Sequence, residues 1–416
     1  MAIMLLGTFD TKGEEYAYVR DLIAERGKEV VLVDAGVLGT SALVADVDSS
    51  AVAAAAGADL AVLRRRRDRG VALEVMAAGA TTVAEQLYAQ GRLSGVLALG
   101  GSGGSSIAAT VMQALPVGLP KLLVSTMAGG DVSPYVGSTD MTLMYSVVDV
   151  AGINSISRQV LGNAAAAIAG MADAYATRRS NPAGAQDKPL VAATMFGVTT
   201  PAVDTARRRL VELGYEVLVF HATGSGGRTM ENLAAHGHFA GVLDLTTTEI
   251  ADEVVGGVLS AGPDRLTAAA KAGIPQVVSL GALDMVNFGP KDTVPERFRE
   301  RNLLVHNETV TLLRTSAVEA ARIGAVLGRK LAAATGPTAL FVPRGGLSAV
   351  DVDGGPFWDP AADAACIDSV LDAVAGTRVE VIDSDQDING SAFATAAAEH
   401  LHQLIRSFND RVKPQR

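Results

Sequence analysis

A short apolar phrase followed by about ten to fifteen residues of helical pattern recurs along this chain. That alternation restricts it to parallel sheets covered by helices on both faces. Ile3–Leu6 reads as a buried strand, Gly13–Arg26 as a helix, Gly27 as a turn and Val30–Val33 as a second strand ending at Asp34. The theme returns with a strand at Leu190–Phe196, a helix at Pro201–Leu213, a turn at Gly214 and a strand at Val217–Phe220. Gly27-Lys-Glu-Val matches Gly214-Tyr-Glu-Val, and Gly95-Val-Leu-Ala-Leu matches Gly241-Val-Leu-Asp-Leu. The expected fold is α/β, with two doubly wound, Rossmann-like domains whose mainly parallel sheets are related by an internal duplication. The polar stretch after the Ala-rich helix at Leu161–Thr177 contains Pro and Gly and reads as a linker at 181–188, which separates domains at 1–180 and 189–416.

A length of 416 residues with 49% hydrophobic content supports two full cores. The formal net charge of -10 argues against a general nucleic-acid binder, which neutralises phosphates with excess Lys and Arg. Arg64–Arg67, flanked by Asp59 and Asp68, reads as the solvated face of a helix. Cys366 stands alone, so no disulfide framework is expected. Met1–Leu6 is too short for a secretory signal and no apolar run approaches the ~20 residues of a membrane span, which points to a cytoplasmic protein.

The chemistry begins at Gly95–Ser106, where an apolar strand runs directly into Gly100, Gly101, Ser102, Gly103, Gly104 and Ser105 before the helical Ile107–Ala114. Glycines let a ligand approach main-chain N–H groups, and the following helix N-terminus favours negative charge. Ligands of open α/β sheets lie beyond the carboxyl ends of the strands. Two more loops should therefore converge there. One holds Thr8, Asp10, Thr11 and Lys12, with Lys12 as a phosphate ligand and Asp10 as a partner for Mg²⁺ or a sugar hydroxyl. The other, Thr126–Ser146, carries Thr126, Gly129 and Asp131 and reads as a long functional loop.

Gly101–Ser106 lacks the last glycine of a dinucleotide fingerprint and follows an internal strand, while Gly7–Gly13 has its Lys before the Gly, unlike a Walker A loop. Gly100-Gly-Ser102-Gly-Gly104 does satisfy the nucleophile-elbow pattern, which leaves open a serine hydrolase using Ser102 with His306. The pairs His236/His238 and His400/His402 read as surface histidines, because a spacing of two turns helical side chains apart. In the second half, strands are expected at Gln276–Leu280, Ala339–Val342 and Val379–Ile382, with a long helix at Val310–Ala334. Asn287, His306, Asn307, Arg314 and Arg344 offer amide, imidazole and guanidinium groups suited to a carboxylate or phosphoryl oxygen. They would serve an enzyme of small carboxylic-acid or sugar-acid catabolism that acts on an acidic metabolite.

Gly7-Thr-Phe-Asp-Thr-Lys-Gly-Glu-Glu15, Gly100–Ser105, Met144–Asn154, Asp284-Met-Val-Asn-Phe-Gly289, Thr293-Val-Pro-Glu-Arg-Phe298 and His306-Asn307 together resemble the ATP-binding family named after the tomato mosaic virus resistance protein. The resemblance spans essentially the whole chain. It implies two Rossmann-like domains, binding of ATP or a related nucleotide with Mg²⁺, and a homodimer. Glu308 stands where similar proteins more often have proline. Whether the protein is an enzyme stays open at this point.

Overall fold

A computed structural model describes residues 1–180 and 188–412. The chain forms two compact units, Met1–Gln186 and Asp187–Arg416. Apart from Lys188, the expected linker at 181–188 lies outside the described residues.

The first unit is a parallel sheet of β1 (Ala2–Gly7), β2 (Val30–Asp34), β3 (Leu93–Gly100), β4 (Lys121–Ser125) and β5 (Thr142–Tyr145), in the order β2-β1-β3-β4-β5. β1, β3 and β4 are buried along their whole length, as their nearly continuous apolar sequences require of strands covered on both faces. The helices Phe9–Ala24 and Ser155–Ser180 pack Tyr16, Val19, Ile23, Leu161 and Ile168 on one face. Arg69–Ala89 and Ser102–Ala114 pack Met76, Ala80, Ile107 and Val111 on the other. Each of these Val, Leu, Ile and Met side chains contributes roughly 1.5–3 kcal/mol on full burial. The helices that follow β1 and β3 thus leave on opposite faces, which opens a crevice between the ends of these two strands.

Tyr16 braces that crevice from below. Its hydroxyl accepts the Leu99 N–H at 2.7 Å and reaches the Leu6 and Leu99 carbonyls, bridging β1 and β3. A Cβ on Gly7 would lie 2.1 Å from the Tyr16 ring, so only glycine fits at the end of β1.

The second unit has a six-stranded parallel sheet of β6 (Leu190–Met195), β7 (Glu216–His221), β8 (Gly241–Thr246), β9 (Gln276–Gly281), β13 (Thr338–Pro343) and β14 (Glu380–Ser384). An antiparallel sheet of β10 (Met285–Phe288), β11 (Leu303–Asn307) and β12 (Val310–Arg314) is inserted between β9 and β13. The large sheet runs β7-β6-β8-β9-β13-β14, so its first four strands repeat the order of the first unit. The register repeats too: Ile3 pairs with Gly95, and Val191 with Gly241. This is the duplication read from the sequence.

Several boundaries differ from expectation. The long helix at Val310–Ala334 is instead β12 and a helix at Ala317–Ala332, separated by a Ser316/Glu319 capping box. The β-branched start of that stretch pairs into the antiparallel sheet, and Ser316 then fixes the helix start. The long loop at Thr126–Ser146 contains a 3₁₀ turn at Thr126–Gly129, a short helix at Ser133–Val136 and β5. β5 is a half-exposed edge strand and so lacks the apolar run that marks its neighbours. The helices after β1 and β3 start at Phe9 and Ser102, earlier than Gly13 and Ile107. Among the described residues, no helix is long and apolar enough to cross a membrane.

Candidate functional site

The crevice at the β1/β3 switch point opens into a cleft of about 830 Å³, within the usual range for small-molecule sites. Its walls come from three strand ends of the first unit and from the segment around Arg64–Met76. Thr8, Asp10, Thr11, Lys12 and the turn Gly101–Gly104 all line it, so two of the expected loops do converge. Val37, Leu38, Leu73 and Met76 supply an apolar wall. Leu38 is 82% exposed at the rim.

The helix ends facing the cleft differ from their neighbours. Asp48, Asp59 and Asp68 cap the helices Ser49–Ala55, Leu60–Arg66 and Arg69–Ala89 by accepting N–H bonds at 2.8, 2.7 and 3.1 Å. The helices Phe9–Ala24 and Ser102–Ala114 have no side-chain cap. Phe9 N–H is bound by Asp34 at 3.0 Å, whereas the first turn of Ser102–Ala114 is built of glycine and serine and has no side-chain cap.

Each nominated residue has a definite place. Asp10 Oδ2 accepts the Leu38 and Gly39 N–H groups at 2.6 and 3.1 Å, while Oδ1 is buried without a partner. Asp10 therefore holds the rim of the cleft. Lys12 donates to the Val150 carbonyl, and the Thr8 and Thr11 hydroxyls bond each other at 2.9 Å. Gly100 lies beneath the turn, where a Cβ would meet Gly104 Cα at 3.1 Å. Ser102 is exposed, and Thr126 Oγ1 would stand 3.6 Å from a Cβ on Gly101. Ser105 is fully buried, with its hydroxyl 2.6 Å from that of Ser125. Gly129 and Asp131 are exposed outside the lining, and Asp131 accepts two bonds from Ser133.

Ser102 is an ordinary first helical residue and is absent from the positive-φ positions, so the strained turn of a nucleophile elbow is missing. The first unit also contains no histidine.

Two contributors escaped the sequence reading. Asp34, at the tip of β2, accepts Phe9 and Gly36 N–H groups at 3.0 and 2.8 Å and ties two walls together. Burial pushes its carboxyl up, against the pull of those two bonds. The arginine run is the second, since Arg64, Arg67 and Arg69 all line the cleft and do not merely form a solvated face. Helix Leu60–Arg66 ends at a left-handed Arg67 (φ 53°), which turns the chain back along the cleft wall. Four cationic side chains face two acidic ones, in a protein whose net charge is -10.

In the second unit, most nominated groups are bound within the fold. Asn287 is buried and donates its amide to Asp252 at 2.6 Å and Thr248 at 3.2 Å. Burial raises the Asp252 carboxyl to about 7, against the hydrogen bonds from Asn287. Arg314 is 5% exposed and bonds Asp363 at 2.6 Å, the Phe357 carbonyl at 2.6 Å and the Asp284 carbonyl at 3.2 Å. Arg344 forms a two-pronged pair with Asp383 at 2.7 Å. His306 and Asn307 are exposed on β11, and the Asn307 side chain caps the turn at Thr309.

At the crest equivalent to the glycine turn, the second unit instead buries charge. Arg265, 1% exposed, binds Asp244 at 2.5 and 2.7 Å, Glu249 at 2.6 Å and Glu231 at 3.2 Å. Glu249 also accepts Gly224 and Gly227 N–H groups at 2.7 and 3.0 Å, at the start of helix Ser225–Ala235.

Fold and site together define a two-unit, doubly wound α/β protein with an open cationic cleft in its first unit. The chain belongs to a family described as Uncharacterised protein family (UPF0261), whose N-terminal model matches residues 1–177 and C-terminal model residues 188–405. A UPF0261 protein of Clostridium tetani is 50% identical over 97% of this chain and 98% of its own length. The ToMV resistance protein Tm-1(GCR237) of Solanum lycopersicum is 43% identical over 81% of this chain, but over only 45% of its own length. A UDP-N-acetylglucosamine 2-epimerase from Rickettsia bellii aligns over 100% of this chain and 98% of its own at 8% identity with a TM-score of 0.23, too low to bear on function.

Proposed function

We propose that the first unit binds a nucleotide, ATP in the simplest case, with its phosphates on the Gly101–Gly104 turn and its base against Val37, Leu38 and Leu73. The observation that carries this reading is the uncapped first turn of helix Ser102–Ala114 in a cleft with excess cationic lining. Lys12 stands at the same cleft as a phosphate partner.

The residues present do not build a magnesium site. Asp10 has one oxygen committed to Leu38 and Gly39 and the other closed off from solvent. No cluster of three His, Cys, Asp or Glu among the described residues is placed to hold a metal. A magnesium ion arriving with ATP would be carried by the phosphates.

The alternative, a small-acid enzyme using the second unit's polar residues, has less support. Asn287 and Arg314 are bound inside the core, which leaves the exposed His306 and Asn307. The resemblance to the family named after the tomato mosaic virus resistance protein also supports a homodimer, which sedimentation would test. Calorimetry with ATP, ADP and a panel of sugar acids, with and without Mg²⁺, separates the readings. Heat of binding from the nucleotides is expected; silence from both nucleotides beside binding of a sugar acid would overturn the proposal.

A further inference from the structure

The arginines of the cleft fall into two kinds. Arg64 is committed, with Nε donating to the Val37 carbonyl at 3.0 Å and Nη2 to the Gly39 carbonyl at 2.7 Å, so it pins the rim. Arg67 and Arg69 are not. Neither guanidinium has a carboxylate or carbonyl partner among the described residues, although Asp68 lies between them. The Asp68 carboxylate is aimed elsewhere, at the Val71 N–H that it caps.

Arg69 also reaches the glycine turn. A Cβ placed on Gly103 would lie 3.3 Å from Arg69 Nη2 and 3.5 Å from Leu73 Cδ2. A guanidinium therefore overhangs the first turn of helix Ser102–Ala114, close enough that a Cβ at Gly103 would crowd it. Arg67, in the left-handed turn two residues before, lines the same cleft.

We infer that Arg67 and Arg69 form a second anion subsite next to the glycine turn, so that the cleft selects its ligand by the number of linked phosphoryl groups. This rests on the nucleotide reading for the rest of the ligand. The chemistry follows from the guanidinium group, whose fork of N–H donors binds phosphoryl oxygens and stays charged at any working pH. One phosphoryl group can occupy the glycine turn. A second or third, linked to it, extends the negative charge toward the arginines. A ligand with a single anionic group uses the turn alone and gains little from the arginines.

The test is equilibrium binding of AMP, ADP, ATP and inorganic tripolyphosphate to the full chain and to its Arg69→Ala and Arg67→Ala/Arg69→Ala variants. Both side chains are exposed, and thermal melts verify that the variants stay folded. Charge-assisted hydrogen bonds should make ATP bind at least about tenfold more tightly than AMP in the native protein. The double variant should lose that margin while AMP affinity stays within about twofold, and tripolyphosphate should compete with ATP only when the arginines are present. Equal affinity for AMP, ADP and ATP, or an equal loss for all three in the variants, would overturn the subsite and leave nucleotide binding standing. Tripolyphosphate binding that depends on Arg69, without any nucleotide binding, would keep the subsite and remove the nucleotide. A native protein that binds none of the four ends both ideas.

Discussion

The two units share strand order and register, yet treat the same crest in opposite ways. Aligning Gly95 with Gly241 sets Gly100-Gly-Ser-Gly103 against Thr246-Thr-Thr-Glu249, and a helix begins at Ser102 in one and at Thr248 in the other. In the first unit the turn is bare and faces an open cleft. In the second, Thr246, Thr247, Thr248 and Glu249 are all fully buried. Glu249 sits on the N–H groups of another glycine turn, Gly224-Ser-Gly-Gly227, with Arg265 beside it. The second unit thus carries, as a side chain, the kind of group that the first unit leaves room for: a carboxylate held by glycine N–H groups and a guanidinium. The pair teaches that this fold can leave the crest bare or fill it with an internal carboxylate, and the aligned residues Gly103 and Glu249 mark the difference.

Removing the cation from the filled crest should have the largest effect. Arg265→Met leaves the buried Asp244 and Glu249 and the half-buried Glu231 without their cation, and a loss of about 3–5 kcal/mol is expected from chemical denaturation. A loss under about 1 kcal/mol would mean that the network contributes little.

Removing the internal anion comes next. Glu249→Ala strands the Gly224 and Gly227 N–H groups and should cost about 2–3 kcal/mol. Formate or acetate should restore part of the melting temperature of this variant without affecting the native protein. If neither anion does, Glu249 does not stand in for a ligand.

The converse change fills the open crest. Gly103→Glu places the second unit's residue in the first, where Arg69 Nη2 lies 3.3 Å from the new Cβ. ATP affinity should fall by about tenfold or more, equivalent to about 1.4 kcal/mol, with the fold preserved. Unchanged affinity in a folded variant would place the phosphates elsewhere.

The smallest effect is a slope with pH. Asp252 is raised by burial to about 7, so the folded protein keeps this proton where the unfolded chain has released it. Its contribution is complete below the ordinary carboxylate pKa of about 4 and is lost as pH rises toward and through 7. Asp252→Asn should flatten the fall of melting temperature between pH 5 and about 8. An unaltered profile would assign the slope to other groups. Burial also raises Asp284, against the pull of Arg314, and Asp351, where Asp284 adds to the rise.

The parallel sheets, their repeat and the glycine turn after β3 could be read from the chain because each rests on local pattern: continuous apolar runs, helical spacing, and glycines at a strand end. β12 and β5 could not. β5 is short and half-exposed, so it lacks the continuous apolar run of its neighbours, and the stretch from Val310 reads as helical through Arg314, Thr315 and Ser316 although Ser316 and Glu319 mark a helix start there.

The residue types alone determined that this protein is two wound α/β units and that one strand end is stripped of side chains. Which charges face a ligand and which face each other was settled only by folding. Arg314 meets Asp363 across 49 residues, Asn287 meets Asp252 across 35, and Arg64 meets the Val37 carbonyl across 27. Arg67 and Arg69, by contrast, find no partner among the described residues and remain at the cleft. The physical reason is that a charged side chain takes its role from the groups that replace its lost water, and those groups are assembled by the fold from distant parts of the chain.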